Sequence, residues 1–229
     1  MTRSRRARLS VALCMALLSA GLLALGLWQL QRLQWKEALI ARVDQRVHAA
    51  PTAAPGAASE RDEYLHVRLD GHFIDQAASY VQASTVLGPG YWVLTPLRRD
   101  DGSTVMVNRG FVATRSAAPA GEGRVTVTGL LRMSETGKPL LRENNPAGQR
   151  WYNRNVQAIA TARGLGPVAP YFVDQDAART EVAGAPVGGL TVISFRNSHL
   201  VYALTWFALS LMAASGCVLI ARTGHSRTS

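Results

Sequence analysis

The sequence predicts a membrane protein in which two transmembrane α-helices flank an antiparallel β-rich, barrel-like extracytoplasmic domain with one short helix. Three observations predict it. Two runs of 22 residues carry no charge, the middle of the chain alternates apolar and polar residues in short segments, and arginine crowds both tails. The 229 residues leave room for one or two domains. At 48% hydrophobic the chain is too apolar to be disordered, and at 17% charged it is too poor in charge for an ordinary soluble protein.

The net charge of +10 raises nucleic acid as a partner, and its distribution argues against one. Arg3, Arg5, Arg6 and Arg8 lie in the first eight residues, Arg222 and Arg227 in the last eight, and neither tail contains an acid. The rest of the excess is spread without a basic stripe. Basic tails abutting apolar runs are a membrane pattern.

Residues 1–8 read as a basic cytoplasmic tail and 9–30 as the first transmembrane helix. Twenty-two residues at about 1.5 Å each cover a bilayer core of about 30 Å. The run exceeds a signal-peptide core, and Trp28, Gln29 and Leu30 stand where a cleavage site would need small residues. It is therefore expected to be a retained anchor. Ala12, Ala16, Ala20 and Ala24 recur at every fourth position and form a small-residue ridge for another helix. Residues 31–59 read as a helical extension followed by a linker rich in Pro, Ala and Gly.

Residues 60–198 form the predicted extracytoplasmic domain. Leu65, Val67 and Leu69 alternate with His66, Arg68 and Asp70 in the first strand. Further strands are expected at 79–83, 91–97, 104–112, 124–133, 171–174 and 190–195, with a helix over 152–163. Asp101–Gly102 marks a tight turn. Residues 199–221 form the second transmembrane helix, with Ser210, Ala213, Ala214 and Cys217 as small residues for packing, and 222–229 the second cytoplasmic tail. The positive-inside rule keeps both termini in the cytoplasm and puts the middle in the periplasm of a bacterial inner membrane, or an intermembrane space. Trp28, Trp35, Tyr202, Trp206 and Phe207 suit the outer interface.

The two cysteines, Cys14 and Cys217, both fall in the apolar runs, so the middle domain can form neither a disulfide nor a thiolate metal site. No hydrolase, P-loop or dinucleotide motif is present, and the chain is read as no enzyme. Asp100–Asp101 sits in a turn, and His66 and His72 are read as surface residues. Arg109 alternates with apolar neighbours and needs a polar partner if it points inward, either within the fold or on another protein. His199 precedes the second apolar run, near Tyr202 and Trp206. Its imidazole can anchor the helix start by hydrogen bonding, or serve as an axial ligand to haem iron in an aromatic-lined cleft.

Six stretches then carry a resemblance: GLWQLQRLQWKEALI after the first run, GPGYWVLTPL at 88–97, VNRGFV at 107–112, RWYNRN at 150–155, PYFVD at 170–174 and RNSHLVYALTWF at 196–207. In this order, and framed by two apolar runs, they resemble the surfeit locus protein 1 family of cytochrome c oxidase assembly factors. Asn155 stands where that family has an Asp, which removes a carboxylate beside Arg154, and Trp92 stands in place of a His.

The resemblance implies a respiratory-chain assembly chaperone that binds haem a transiently and assists its insertion into subunit I of cytochrome c oxidase. It implies His199 as the ligand of the haem iron and Trp206 as a haem-contacting neighbour. Haem a synthase and the lipid bilayer are the other implied partners. The alternative is a scaffold that stabilises an oxidase assembly intermediate and never touches haem.

Overall fold

A computed structural model of the protein describes residues 3–136, 142–178, 182–191, 193, 195 and 197–223. The end of the second basic tail, and two positions of the strand expected at 190–195, lie outside the described residues. The chain divides into two compact units, Met1–Arg42 with Ser194–Ser229, and Val43–Ile193.

The first unit is built from two long helices, α1 (Arg3–Val47) and α3 (His199–Thr223). Both are long and apolar enough to cross a membrane. They run antiparallel. Ser19 Oγ donates to the Ser210 carbonyl at 3.0 Å, and Ser210 Oγ returns a bond to the Ser19 carbonyl at 2.8 Å. Nearer one end the Cys217 thiol donates to the Ala12 carbonyl, and nearer the other Gly26 lies against the Phe207 ring.

Between residues 12 and 33 of α1, positions 12, 15, 19, 22, 26, 29 and 33 are covered in alternating steps of three and four, joined only by Leu30. This is the 3.5-residue repeat of a left-handed helix pair. It corrects the predicted alanine ridge, since Ala16, Ala20 and Ala24 are exposed. A four-residue step turns about 400°, so such a ridge veers around the helix and cannot follow a near-antiparallel partner. On α3, Ser210 and Ala213 are buried and Ala214 and Cys217 half-buried, as the small residues there lead one to expect.

The second unit is a seven-stranded mixed sheet with one short helix. Its elements are β1 (Thr52–Ala53), β2 (His66–Phe73), β3 (Ser79–Thr85), β4 (Gly88–Arg99), β5 (Thr104–Val112), β6 (Val125–Met133), α2 (Val156–Ala162) and β7 (Tyr171–Gln175). The strand order is β1-β2-β6-β7-β5-β4-β3, and β2 also pairs with β4 from Gly71↔Arg99 to Phe73↔Leu97.

Two pairings are parallel, β1 with β2 and β5 with β7, which corrects the expected all-antiparallel arrangement. Between β5 and β7 the chain passes through β6 and α2, a connection long enough to bring β7 back in the direction of β5. The stretch read as a linker supplies β1. The described part of 190–195 is not strand.

The β5–β7 pair forms the spine of the unit. Val105, Val107, Tyr171 and Val173 point into one cluster with Val67, Leu69, Leu97 and Val127. Met106 and Phe172 point to the opposite face, where Val156 and Ile159 of α2 cover them together with Trp151. Both faces are buried, so these strands read as near-continuous apolar runs with little alternation. At Gly110, φ is +130° and a Cβ would collide with the Val187 backbone, so only glycine lets that segment bridge to Phe111.

Candidate functional site

The predicted site residues lie in the first unit. His199 is the first residue of α3 and is half-buried. Its Nδ1 lies 2.7 Å from Oε1 of Gln29 on α1. With an amide oxygen facing it, Nδ1 carries the proton, and the lone pair is left on Nε2. Among the described residues Nε2 has no hydrogen-bond partner. Trp206, also half-buried, follows seven residues later, two turns along on the same side of α3. Gln29 went unnoticed in the sequence because its partner is 170 positions away.

A second constellation, in the sheet unit, was not foreseen. Asn108 on β5 and Asp174 on β7 are register partners that continue the face of Met106 and Phe172 past the apolar cluster. Asp174 is 4% exposed. Its Oδ1 accepts from Asn108 Nδ2 at 2.7 Å and from Arg154 Nη1 at 3.3 Å. Its Oδ2 accepts from Thr191 Oγ1 at 3.0 Å and from Arg132 Nη1 at 3.3 Å. Four donors satisfy this carboxylate, as its burial requires.

Each arginine is held a second time. Arg132 donates Nε to Glu63 at 3.0 Å and stacks on Tyr64. Arg154 grips Glu135 through Nε at 3.0 Å and Nη2 at 2.5 Å, its backbone N–H donates to the same carboxylate, and its guanidinium lies on the Phe172 ring. Burial opposes the Arg132 charge, but Asp174 and Glu63 outweigh it and hold the guanidinium above its ordinary range. Burial likewise opposes the Glu135 charge, and Arg154 overcomes it, keeping this carboxyl below the usual range.

Local sequence explains the positions. Asn155 caps α2, its side chain accepting from the Ala158 N–H at 3.0 Å. The Asp-to-Asn departure noted at this position therefore leaves the cap intact, and the partners of Arg154 are elsewhere. Arg132, Arg154, Asp174 and Thr191 line a pocket of about 250 Å³ together with Trp92, Ser84 and Thr85. The cluster carries three carboxylates against two guanidiniums, with every oxygen of Asp174 engaged. It can clasp segments together and present polar groups beside an indole; it supplies no free base or nucleophile.

Other expectations resolve simply. Arg109 points inward: it pairs with Asp75 at 3.6 Å, donates to the Ala118 carbonyl at 3.0 Å and lies over Phe73. Burial pushes its pKa down against the pull of Asp75. The Asp100–Asp101 turn is solvated, with Asp100 paired to Arg124. His66 is not a free surface residue. Its Nδ1 is 2.7 Å from the Ala49 carbonyl and its Nε2 2.9 Å from Asp176. Among the described residues no three His, Cys, Asp or Glu side chains gather into a metal cluster.

The chain compares clearly with known proteins. The model of the SURF1 family matches residues 16–211. Surfeit locus protein 1 of Rattus norvegicus is 35% identical over 209 residues, covering 81% of this chain and 67% of its own. The Homo sapiens protein of the same name is 36% identical over 211 residues, covering 81% and 69%. A SURF1-like protein of Monosiga brevicollis is 34% identical over 235 residues, covering 93% and 89%.

Proposed function

The chain belongs to the SURF1 family, and from that premise we propose that it is a membrane-anchored assembly factor for haem–copper cytochrome c oxidase, holding haem a as cargo on its way into subunit I. The observation that carries the cargo reading is the Gln29–His199 hydrogen bond. It fixes the imidazole as the Nδ1–H tautomer and leaves Nε2 as a lone-pair donor, the arrangement that ligating histidines use. Trp206, two turns on, supplies a flat apolar surface beside it. His199 would hold the iron and Trp206 would meet the macrocycle; neither makes nor breaks a bond.

Anchoring is supported by the first unit. Within its two apolar runs many outward residues are large hydrophobics, Leu17 and Leu211 being 65% and 70% exposed, an arrangement that lipid satisfies and water does not. The arginine-rich tails support cytoplasmic termini in a bacterial inner membrane, with the sheet unit in the periplasm. The pairing of β4 back onto β2 supports a barrel-like outer domain.

The test is His199→Ala in a strain that makes haem a. The purified variant should lose the bound-haem absorbance while still inserting into the membrane. A spectrum unchanged from the parent overturns the ligand assignment. A parent protein that purifies colourless despite abundant haem a favours the scaffold reading, which the convergence of three motifs on Asp174 makes the natural second choice.

A further inference from the structure

Arg115, Arg142, Arg150 and Arg163 converge on one side of the sheet unit. Two adjoining pockets, of about 410 and 240 Å³, share Tyr80 and Arg115. Arg163 lines the larger, and Arg142 and Arg150 line the smaller. Neither lining includes an Asp or a Glu. By contrast, Arg68, Arg99, Arg109, Arg124, Arg132 and Arg154 of this unit each sit within 4 Å of a carboxylate.

Hydrogen bonds and ring contacts hold the cleft's side chains in place. Arg163 is anchored to Ser79 Oγ at 2.9 Å and to the Ala78 carbonyl. Arg115 donates to the Gln149 carbonyl, and Gln149 lies in a tight turn closed by reciprocal backbone bonds between Asn145 and Arg150. Arg115 stacks on Tyr91 and Arg142 on Tyr152. Trp151, 2% exposed, lines the smaller pocket, and among the described residues its buried indole N–H has no acceptor. A buried donor without a partner is uncommon and costly. Burial pushes the Arg163 pKa down, and the nearby Arg115 charge pushes it the same way.

We propose that this arginine–tyrosine cleft docks an extended acidic peptide segment of a partner protein. Guanidiniums bind carboxylates through paired N–H bonds, and Arg, Tyr and Trp are the side chains that anchor protein interfaces. The charges are strung along two pockets instead of converging on one point, which suits carboxylates spaced along a strand better than a single phosphate. The lining is mainly polar, set by arginine and tyrosine, so it does not offer the apolar slot that a macrocycle or acyl chain requires. The inference is independent of the haem reading.

The test uses the full chain in neutral-detergent micelles and a labelled eight-residue peptide alternating Glu and Ala, with its Gln counterpart as control, read by fluorescence anisotropy. The Glu peptide should bind at least about tenfold more tightly than the Gln peptide, and more weakly as salt rises. Arg142→Gln with Arg150→Gln removes two exposed guanidiniums that make no hydrogen bond within the described residues, and should cost about tenfold in affinity. Arg115→Gln alone should weaken binding in the same direction. Arg61→Gln with Arg98→Gln removes the same charge from exposed positions elsewhere and should leave affinity within about twofold. Equal binding of the two peptides, or equal loss in the control pair, overturns the proposal. So does displacement of the peptide by inorganic phosphate, or by phosphatidylglycerol vesicles, at lower concentration than by unlabelled peptide.

Discussion

Asn108 and Asp174 stand opposite each other on parallel strands, and the 2.7 Å bond from Asn108 Nδ2 to Asp174 Oδ1 forms the base on which Arg132 and Arg154 meet. The two guanidiniums share this one carboxylate, and each has a second, less buried acid of its own. Removing the shared charge leaves both cations largely buried beside a neutral amide. Breaking a buried ion pair from one side costs about 3–5 kcal/mol.

Asp174→Asn is therefore expected to lower the opening free energy of the β5 and β7 amides by about 3 kcal/mol or more. Native-state hydrogen exchange on the full chain measures it. A change below about 1 kcal/mol would mean that water already screens the cluster as it would at a surface.

The strands of the sheet unit were largely legible, for a physical reason. Val67 and Leu69 are fully buried while Arg68 between them is exposed, and that period of two is written in the residues. What alternation cannot state is which strand lies beside which, so the parallel β5–β7 pair and the all-antiparallel expectation diverged. The Asp174 cluster was illegible for the same reason. Asn108, Arg132, Arg154 and Asp174 come from separate segments that only the topology unites. One signal was available: VNRGFV, RWYNRN and PYFVD each contribute a member. His199 was singled out, and its Gln29 partner was hidden by sequence distance.

Gly26 and Phe207 form a tight contact between α1 and α3, because a Cβ at Gly26 would collide with the phenyl ring carbons. A single methyl can be met by turning the ring. A full Leu side chain cannot, and it would prise the helices apart at the position two turns from Ser19. With Cys14 and Cys217 replaced by Ser, a Ser19→Cys/Ser210→Cys pair should cross-link readily, since the parent hydroxyls are 3.1 Å apart. Gly26→Leu should slow that cross-linking by at least about fivefold, and Phe207→Ala should restore it. An unaffected rate would mean that Gly26 is not the contact that sets the helix spacing.

His66 makes the sheet unit sensitive to pH. Burial lowers its pKa, but the Asp176 carboxylate and the Ala49 carbonyl outweigh that effect, so the folded pKa stands above the unfolded value of about 6.5. Both ring nitrogens face acceptors, which only the imidazolium can satisfy by donating twice. A raised pKa means that the folded state binds the proton more tightly than the unfolded one. The stabilisation is fully present below the unfolded pKa and disappears as pH rises through the folded pKa. At the lower end Asp176 must stay ionised, so the comparison belongs at pH 5.5 and pH 8.5. The stability difference between the parent and His66→Gln should be larger at pH 5.5 than at pH 8.5, measured by thermal unfolding of the full chain. Because the bond joins Ala49 to the segment after β7, the same loss should appear as faster exchange at β1 and at the β2–β6 edge, before the β5 amides respond. A difference that grows with pH would show that His66 is held neutral, and would reverse this account of its two bonds.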